Sequence, residues 1–159
     1  SKELNVSIKN VETFVLGGHG DTMVPMVSYT TISGIPIQQL IKNKTISKKR
    51  VNDILKRTQN GGGEINRLLK KGSAFYAPAS SAVQMAESFL KNKKMILPCA
   101  AYLNGEYGVK GLYVGVPVII GSKGVEKVIK LQLTAIEKKQ FNNSVKAVRK
   151  LTNLALKLS

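Results

Sequence analysis

The stretch Phe14-Val-Leu-Gly-Gly-His-Gly-Asp-Thr-Met-Val-Pro25 sets the single histidine of the chain, His19, among glycines. The three apolar residues 14–16 predict a short buried strand. The glycines that follow allow positive φ and let the backbone approach a ligand, because no Cβ is in the way. Histidine side chains exchange protons near neutral pH, so His19 is a candidate acid–base group. The spacing alone supports a structural histidine equally well.

Length and composition indicate one globular domain. The 159 residues, 43% of them hydrophobic, are enough to bury a core. We expect no membrane-spanning helix, because no apolar run reaches about 18 residues, and no signal peptide, because the first residues lack an apolar segment. Cys99 is the only cysteine, which excludes an internal disulfide and fits a reducing cytoplasm. One cysteine and one histidine do not make a metal site.

The charge is strongly basic, with 25 Lys and Arg against 9 Asp and Glu, or +16 formally. Such a balance can indicate a nucleic-acid partner. The basic residues are mostly lysines, however, and they are scattered over the polar faces of the predicted helices. The four arginines are not clustered with aromatic residues, as they are in single-strand binders. A solvated lysine-rich surface is therefore favoured over nucleic-acid binding.

The first half of the chain predicts one strand and several helices. Residues 24–32 are β-branched and aromatic and predict a strand, and residues 38–41 predict a helical turn. Ser47 can cap the next helix, whose apolar spacing continues over residues 51–69. The glycines at 61–63 interrupt this pattern. They either break the helix in two or admit a neighbouring backbone.

The second half predicts a helix, a sheet and a long final helix. Gly72 ends the preceding helix and Pro78 lies in the first turn of the next, whose apolar stripe comprises residues 82, 83, 86, 89 and 90. Residues 95–103, 112–120 and 125–133 predict an antiparallel meander, with a hairpin turn at 104–105.

Two details of this half are informative. Pro117 indicates an edge or a bulge, and Glu106 is interpreted as a turn residue and not as a catalytic base. Residues 134–137 read Thr-Ala-Ile-Glu, a capping box. This box opens an amphipathic helix with apolar residues predicted inward at 141, 145, 148, 151, 154 and 158. Together these elements predict an α+β fold, an antiparallel meander packed with long amphipathic helices.

Three segments resemble the lactate/malate dehydrogenases, and most closely the lactate-dehydrogenase-like malate dehydrogenases of bacteria. They are the His19 stretch, Gly72-Ser-Ala-Phe-Tyr-Ala-Pro78, and Leu97-Pro-Cys-Ala-Ala-Tyr-Leu-Asn-Gly-Glu-Tyr-Gly108, in that order. The resemblance covers the substrate-side, carboxyl-terminal half of such an enzyme. It implies that residues 1–159 form a single C-terminal domain and that the N-terminal dinucleotide-binding domain is absent. No Gly-x-Gly-x-x-Gly follows a strand in this chain.

The resemblance also implies a function for individual residues. His19 would accept and return the hydroxyl proton as malate and oxaloacetate interconvert with NAD. Gly18, Ser73 and Ala74 would lie near the substrate, and Pro78 near the nicotinamide, although ordinary packing at a helix start explains residues 73–78 equally well. The substrate-binding arginine and the aspartate that orients the histidine would lie upstream of Ser1. Asp21 is the local alternative for the aspartate.

Further expectations follow from the same resemblance. NAD would be bound mainly by the absent domain, and the chain by itself would be inactive. The expected partners are malate or oxaloacetate, its own N-terminal domain and further copies in a homo-oligomer, with no membrane. A cytoplasmic enzyme of the tricarboxylic acid cycle would fit. The alternative is a non-enzymatic basic interaction domain or an oligomerisation domain.

Overall fold

Residues 1–158 are described by a computed structural model, in which helices pack against small antiparallel sheets. The strands are β1 (Val11–Glu12), β2 (Val15–Leu16), β3 (Val24–Pro25), β4 (Thr31–Ile32), β5 (Ile35–Pro36), β6 (Met95–Asn104), β7 (Lys110–Gly121) and β8 (Gly124–Val128). The helices are α1 (Ile37–Lys42), α2 (Lys48–Gln59), α3 (Gly61–Leu69), α4 (Tyr76–Leu90) and α5 (Ala135–Leu158). The sheets are ordered β1-β4-β5, β2-β3 and β6-β7-β8. The predicted α+β class is confirmed.

The hairpin of β6 and β7 supplies most of the core. Side chains alternate between the two faces of a strand, and the inward residues of β6 are buried from Leu97 to Leu103. The matching residues of β7 run from Leu112 to Ile120, and Phe141 of α5 packs against both strands. The predicted meander is therefore present. The hairpin loop is longer than the expected two residues, and in it the backbone amide of Asn104 donates to the Glu106 carboxylate over 2.7 Å.

Pro117 lies in the central strand of this sheet, at the point where pairing with β8 ends. The Ile129 amide donates to the Pro117 carbonyl over 2.8 Å, but proline has no N–H with which to return the bond. The Ile129 carbonyl accepts instead from the Tyr107 hydroxyl over 2.6 Å. Strand β8 therefore ends at Val128, and the prediction of a strand over residues 125–133 was too long.

The predicted strand over residues 24–32 is wrong, because the chain bends at Met26. A 3-10 turn at Val27–Tyr29 separates β3 from β4. This turn is held by Glu137, whose carboxylate accepts from the Ser28 amide over 3.1 Å and from the Ser28 hydroxyl over 2.7 Å. Tertiary hydrogen bonds to a buried carboxylate thus outweigh the local β propensity of this segment.

Both predicted helix caps are confirmed. The Ser47 hydroxyl accepts from the Arg50 amide over 3.1 Å. In the capping box, the Glu137 carboxylate accepts from the Thr134 amide over 3.0 Å, and the Glu137 amide donates to the Thr134 hydroxyl over 3.3 Å. Burial raises the pKa of the Glu137 carboxyl, but the hydrogen bonds from Ser28 and Thr134 outweigh burial and hold that pKa below its ordinary value.

The glycines at 61–63 follow a bend at Asn60 between α2 and α3. Hydrogen bonding continues through the bend, since the Asn60 amide donates to the Lys56 carbonyl and the Glu64 amide to the Asn60 carbonyl. A Cβ built on any of the three glycines meets nothing within 4 Å. Within residues 1–158, no neighbouring backbone uses the space that these glycines leave.

The apolar stripe of α4 is largely exposed, and the stripe of α5 that was predicted to face inward is buried only in its first half. On α4, Val83 is 67% exposed and Leu90 78%, whereas the fully buried residue of this helix is Ser88. On α5, Phe141, Val145 and Val148 pack on the core as predicted, but Leu151, Leu154 and Leu158 are exposed. Exposed apolar surface of this extent is typical of a face that meets another domain or chain. None of the described helices is both long and apolar enough to span a membrane.

Candidate active site

His19 lies at the tip of the loop that joins β2 to β3. Its side chain is exposed and has no hydrogen-bond partner among residues 1–158. The loop itself is folded, because the Gly20 amide donates to the Gly18 carbonyl over 3.0 Å and the Met23 amide to the Gly20 carbonyl over 2.8 Å. The imidazole is therefore presented to solvent on an ordered backbone, and its ring nitrogens remain available to a ligand.

The start of this loop is packed between β7 and α5. Gly17 and Gly115 exchange two backbone hydrogen bonds of 2.9 Å each. A Cβ on Gly115 would lie 2.5 Å from the Gly17 carbonyl oxygen, and a Cβ on Gly17 would overlap the side chain of Ser144. The glycines ahead of His19 therefore permit a close approach of the backbone, as predicted, but the partners are this strand and this helix.

Ser144 on α5 connects the two ends of the His19 loop. Its side chain is fully buried. Its hydroxyl oxygen accepts from the Gly18 amide over 2.8 Å and lies 3.2 Å from the hydroxyl oxygen of Thr22. One helical turn later, Val148 fills the space beside Gly18, where a Cβ would lie 2.6 Å from Val148 Cγ2. Gly18 thus has a packing role in addition to the pocket role expected for it.

The sequence reasoning missed Ser144, although a signal was present. Residues 141, 145 and 148 mark the inward face of α5, and position 144 is three residues after Phe141 on the same face. A serine on an otherwise apolar face is buried and must find a hydrogen-bond partner. The sequence did not indicate which backbone groups it would meet.

Asp21 does not serve as the partner of the imidazole in this structure. Its side chain is exposed and forms neither a hydrogen bond nor an ion pair within residues 1–158. The imidazole therefore has no carboxylate to fix its tautomer in the part of the chain that the structure describes.

The other predicted site residues lie at the start of α4. The Ser73 carbonyl accepts from the Phe75 amide over 3.0 Å, Ala74 is half-buried, and Pro78 lies in the first turn of the helix as predicted. The adjacent Phe75 and Tyr76 are 64% and 91% exposed. No hydrogen bond of the described chain joins this segment to the His19 loop. The hydrogen bonds of the described chain therefore do not bring these two parts of the candidate site together.

The described residues contain neither a cluster of metal ligands nor a reactive thiol. No group of three or more His, Cys, Asp or Glu in residues 1–158 is placed to hold a metal ion. Cys99 is buried without a disulfide partner, and burial raises the pKa of its thiol. A buried thiol with a raised pKa is a poor nucleophile.

Part of the basic charge is paired on the surface. Arg57 forms a bidentate ion pair with Glu64, with its closest contact at 2.6 Å. Hydrogen bonds and charge from Lys91 and Lys93 lower the pKa of the Glu87 carboxyl to about 2. These ion pairs lie at the junction of α2 with α3 and just after the end of α4, and they pair three of the basic side chains with carboxylates.

Comparison with known proteins identifies the family to which this fold belongs. The family described as lactate/malate dehydrogenase, alpha/beta C-terminal domain, matches residues 1–158. The malate dehydrogenase of Cryptosporidium parvum is similar at 46% identity and a TM-score of 0.94, over 96% of this chain and 49% of that one. The lactate dehydrogenase of Eimeria maxima, solved with NADH and oxamate, is similar at 46% identity and a TM-score of 0.94, over 99% of this chain and 49% of that one.

A third solved structure, the malate dehydrogenase of Salinibacter ruber, is 46% identical with a TM-score of 0.91, over 99% of this chain and 50% of that one. This chain spans about half the length of each of these solved chains. Both lactate and malate enzymes are among the similar structures, so the comparisons establish the family without the substrate. The chain belongs to the lactate/malate dehydrogenase family and corresponds to its α/β C-terminal domain.

Proposed function

We propose that this chain is the substrate-side half of an NAD-dependent dehydrogenase that interconverts malate and oxaloacetate, with His19 as the acid–base residue. The observation that carries the proposal is the exposed imidazole of His19 on an ordered loop between β2 and β3. A side chain in this position can reach a bound substrate without a change in the core. The alternatives, a basic interaction domain or an oligomerisation domain, are not favoured.

In this mechanism a ring nitrogen of His19 accepts the hydroxyl proton of the 2-hydroxy acid. NAD, when bound, supplies the acceptor for the hydride that leaves C2. In the reverse direction the imidazolium returns the proton to the carbonyl oxygen. Holding the imidazole in one place contributes to the rate, because a displacement of about 1 Å can cost roughly 100-fold.

The cofactor is proposed to contact this chain only at its nicotinamide end. Ala74 and Pro78 lie at the exposed start of α4, beside the exposed rings of Phe75 and Tyr76. Small and apolar side chains of this kind fit the face of a planar ring. The pyrophosphate calls for a glycine-rich turn between a strand and a helix, which we assign to an N-terminal dinucleotide-binding domain of the same protein.

The same proposal places Gly18 and Ser73 beside the substrate and treats residues 1–159 as one domain. Malate is chosen over lactate because the segments at Val15–Pro25 and Leu97–Gly108 resemble the malate enzymes of the subgroup. A homo-oligomer is proposed because α4 and the end of α5 carry exposed apolar side chains. A cytoplasmic location and a role in the tricarboxylic acid cycle complete the proposal.

The proposal is tested with the full-length protein that carries this chain, by following NADH at 340 nm with malate or lactate. We expect turnover with malate, and a loss of 100-fold or more in kcat for His19→Asn, which is the scale of a positioned acid–base group. Asp21→Asn is the matched control, because this exposed neighbour has no partner in the structure, and its rate should stay close to wild type. An unchanged rate in the His19 variant would remove this residue from the mechanism.

The 159 residues alone provide a second test. Because the pyrophosphate site is assigned to another domain, the purified chain should produce no NADH from malate and NAD. Turnover above the buffer background would refute the assignment of cofactor binding to a separate N-terminal domain. A preference for lactate over malate in the full-length protein would leave the acid–base role intact and correct the substrate.

A further inference from the structure

We propose that Ser144 is a positioning residue for His19, so that the direction of the imidazole depends on a hydroxyl group in the C-terminal helix. Ser144 lies 125 positions after His19 in the sequence and does not touch the imidazole. It acts on the loop that carries His19. The catalytic part of this inference depends on the proposed function, whereas its structural part does not.

The first observation is that a single oxygen atom joins both ends of the loop. Ser144 Oγ accepts from the Gly18 amide over 2.8 Å, immediately before His19, and lies 3.2 Å from Thr22 Oγ1, three residues after it. The exposed histidine therefore stands between two attachments to the same side chain. Ser144 is fully buried, so its hydroxyl meets these two groups on the protein side of the loop, whereas Thr22 is exposed on the other side.

The second observation is that Ser144 is closely packed against Gly17. Its Cβ and Oγ pack directly against Gly17, where a Cβ would overlap both atoms. Gly17 is fixed from its other side by two 2.9 Å hydrogen bonds to Gly115 of β7. A loop attached through this serine is therefore attached to the strand that forms the centre of the core.

The third observation is that α5 is anchored on both sides of this residue. Phe141, one turn earlier, is 1% exposed and belongs to the main core. Val148, one turn later, packs against Gly18. The helix therefore supplies a rigid support, and the Ser144 hydroxyl is the polar connection between that support and the loop.

Removing the hydroxyl should release the loop without unfolding the domain. In Ser144→Ala, the Gly18 amide loses its acceptor and Thr22 loses its partner, while Gly17 and Gly115 keep their two hydrogen bonds. The segment from Gly18 to Thr22 then samples several conformations. The imidazole spends less time in the direction that proton transfer requires, so the loss appears in kcat.

Ser88→Ala is the matched control. Ser88 is the other fully buried serine of a described helix, and it also bridges two backbone groups, donating to the Ile120 carbonyl over 2.7 Å and accepting from the Met95 amide over 3.2 Å. Ile120 lies five residues along β7 from Gly115, or about 16 Å in an extended strand. Both variants lose a buried hydroxyl with two partners, but only Ser144 contacts the His19 loop.

The experiment compares full-length wild type, Ser144→Ala and Ser88→Ala in kcat, in the dissociation constant of NADH by fluorescence, and in thermal midpoint. We expect kcat to fall about 10- to 100-fold in the Ser144 variant and less than twofold in the Ser88 variant. The NADH dissociation constant should change less than twofold in both. Equal effects of the two variants on kcat would overturn the proposal and reduce Ser144 to an ordinary core serine.

A second readout separates this proposal from the proposed function. Backbone ¹⁵N relaxation at His19 and amide exchange at Gly18 report loop order whether or not the protein turns over substrate. Ser144→Ala should lower the order parameter of His19 and speed exchange at Gly18, with Ser88→Ala unchanged at both. If the wild-type protein is inactive but the loop of Ser144→Ala is more mobile, the proposed dehydrogenase function is refuted and the structural role of Ser144 stands. If the wild-type protein is active and Ser144→Ala leaves both the order parameter of His19 and kcat unchanged, only the role of Ser144 is refuted.

Thr22→Val gives a graded check, because it removes one of the two attachments. The Gly18 amide keeps its acceptor in this variant, so kcat should fall less than in Ser144→Ala. The double variant should be no slower than Ser144→Ala, since both changes act on the same connection. If the losses in kcat of the two single variants multiply in the double variant, Thr22 and Ser144 act independently, which would contradict the proposal.

Discussion

Gly115→Ala is the substitution that the structure makes most informative, because it tests the antiparallel bridge between Gly17, just after β2, and Gly115 of β7. The added Cβ would lie 2.5 Å from the carbonyl oxygen of Gly17, and the contacted atom belongs to the backbone, so no side chain can rotate away. One of the two strands must move by about 1 Å to restore an ordinary contact. Such a movement lengthens the two 2.9 Å hydrogen bonds that Gly17 and Gly115 exchange.

The expected cost follows from these contacts. Overpacking in a dense core costs about 1–3 kcal/mol, and weakening two buried backbone hydrogen bonds adds about 1 kcal/mol. We therefore expect Gly115→Ala to lower the free energy of unfolding by about 2–4 kcal/mol relative to wild type. Because His19 follows Gly17 by two residues, the same shift should lower kcat of the full-length protein by roughly 10- to 100-fold.

The assay is urea unfolding followed by circular dichroism, with kcat measured on the full-length variant. Gly63→Ala is the control, because a Cβ there meets nothing within 4 Å, and alanine in a helix should stabilise the chain by about 0.5–1 kcal/mol. Unchanged stability in Gly115→Ala would show that the bridge between Gly17 and Gly115 tolerates a methyl group and would refute the reasoning. A loss of stability with unchanged kcat would show that this bridge stabilises the fold but does not set the position of His19.

Two further substitutions test the contacts that support the site. Glu137→Gln replaces a carboxylate that accepts four hydrogen bonds, and we expect a loss of about 2–3 kcal/mol at pH 7 in urea unfolding. The folded-state pKa of Glu137 is lowered from its ordinary value of 4.5. The extra stability of wild type over this variant is therefore complete above pH 4.5 and shrinks as the pH falls through the lowered pKa. A stability difference that does not change with pH would contradict this. Tyr107→Phe leaves the Ile129 carbonyl and the Leu131 amide without the hydroxyl and should cost about 1–3 kcal/mol, whereas a thermal midpoint equal to wild type would show that water replaces it.

Local signals in the sequence were sufficient for several elements. The caps at Ser47 and at Thr134 are formed by residues three apart, so their partners lie within one helical turn. The alternation of β6 and β7 reflects burial on one face and was visible as period two. These features depend on neighbours in sequence, which a single chain contains.

Other features were mispredicted because their causes are distant in sequence. The strand expected at 24–32 is bent by Glu137, more than 100 residues away. The third strand ends early because Pro117 cannot donate to Ile129. The end of the α5 stripe, at Leu151, Leu154 and Leu158, was predicted to face inward but is exposed, since periodicity indicates an apolar face without indicating what covers it.

The sequence by itself determined the α+β class, the family resemblance and the choice of His19, because a single histidine among glycines at the end of an apolar segment is a local pattern. Only the tertiary structure decided how that histidine is held. The antiparallel bridge between Gly17 and Gly115 and the contacts of Ser144 with both ends of the loop join residues about 100 to 126 positions apart. No periodicity along the chain records such contacts, because they arise from the packing of α5 and of the central strand β7 against the same loop.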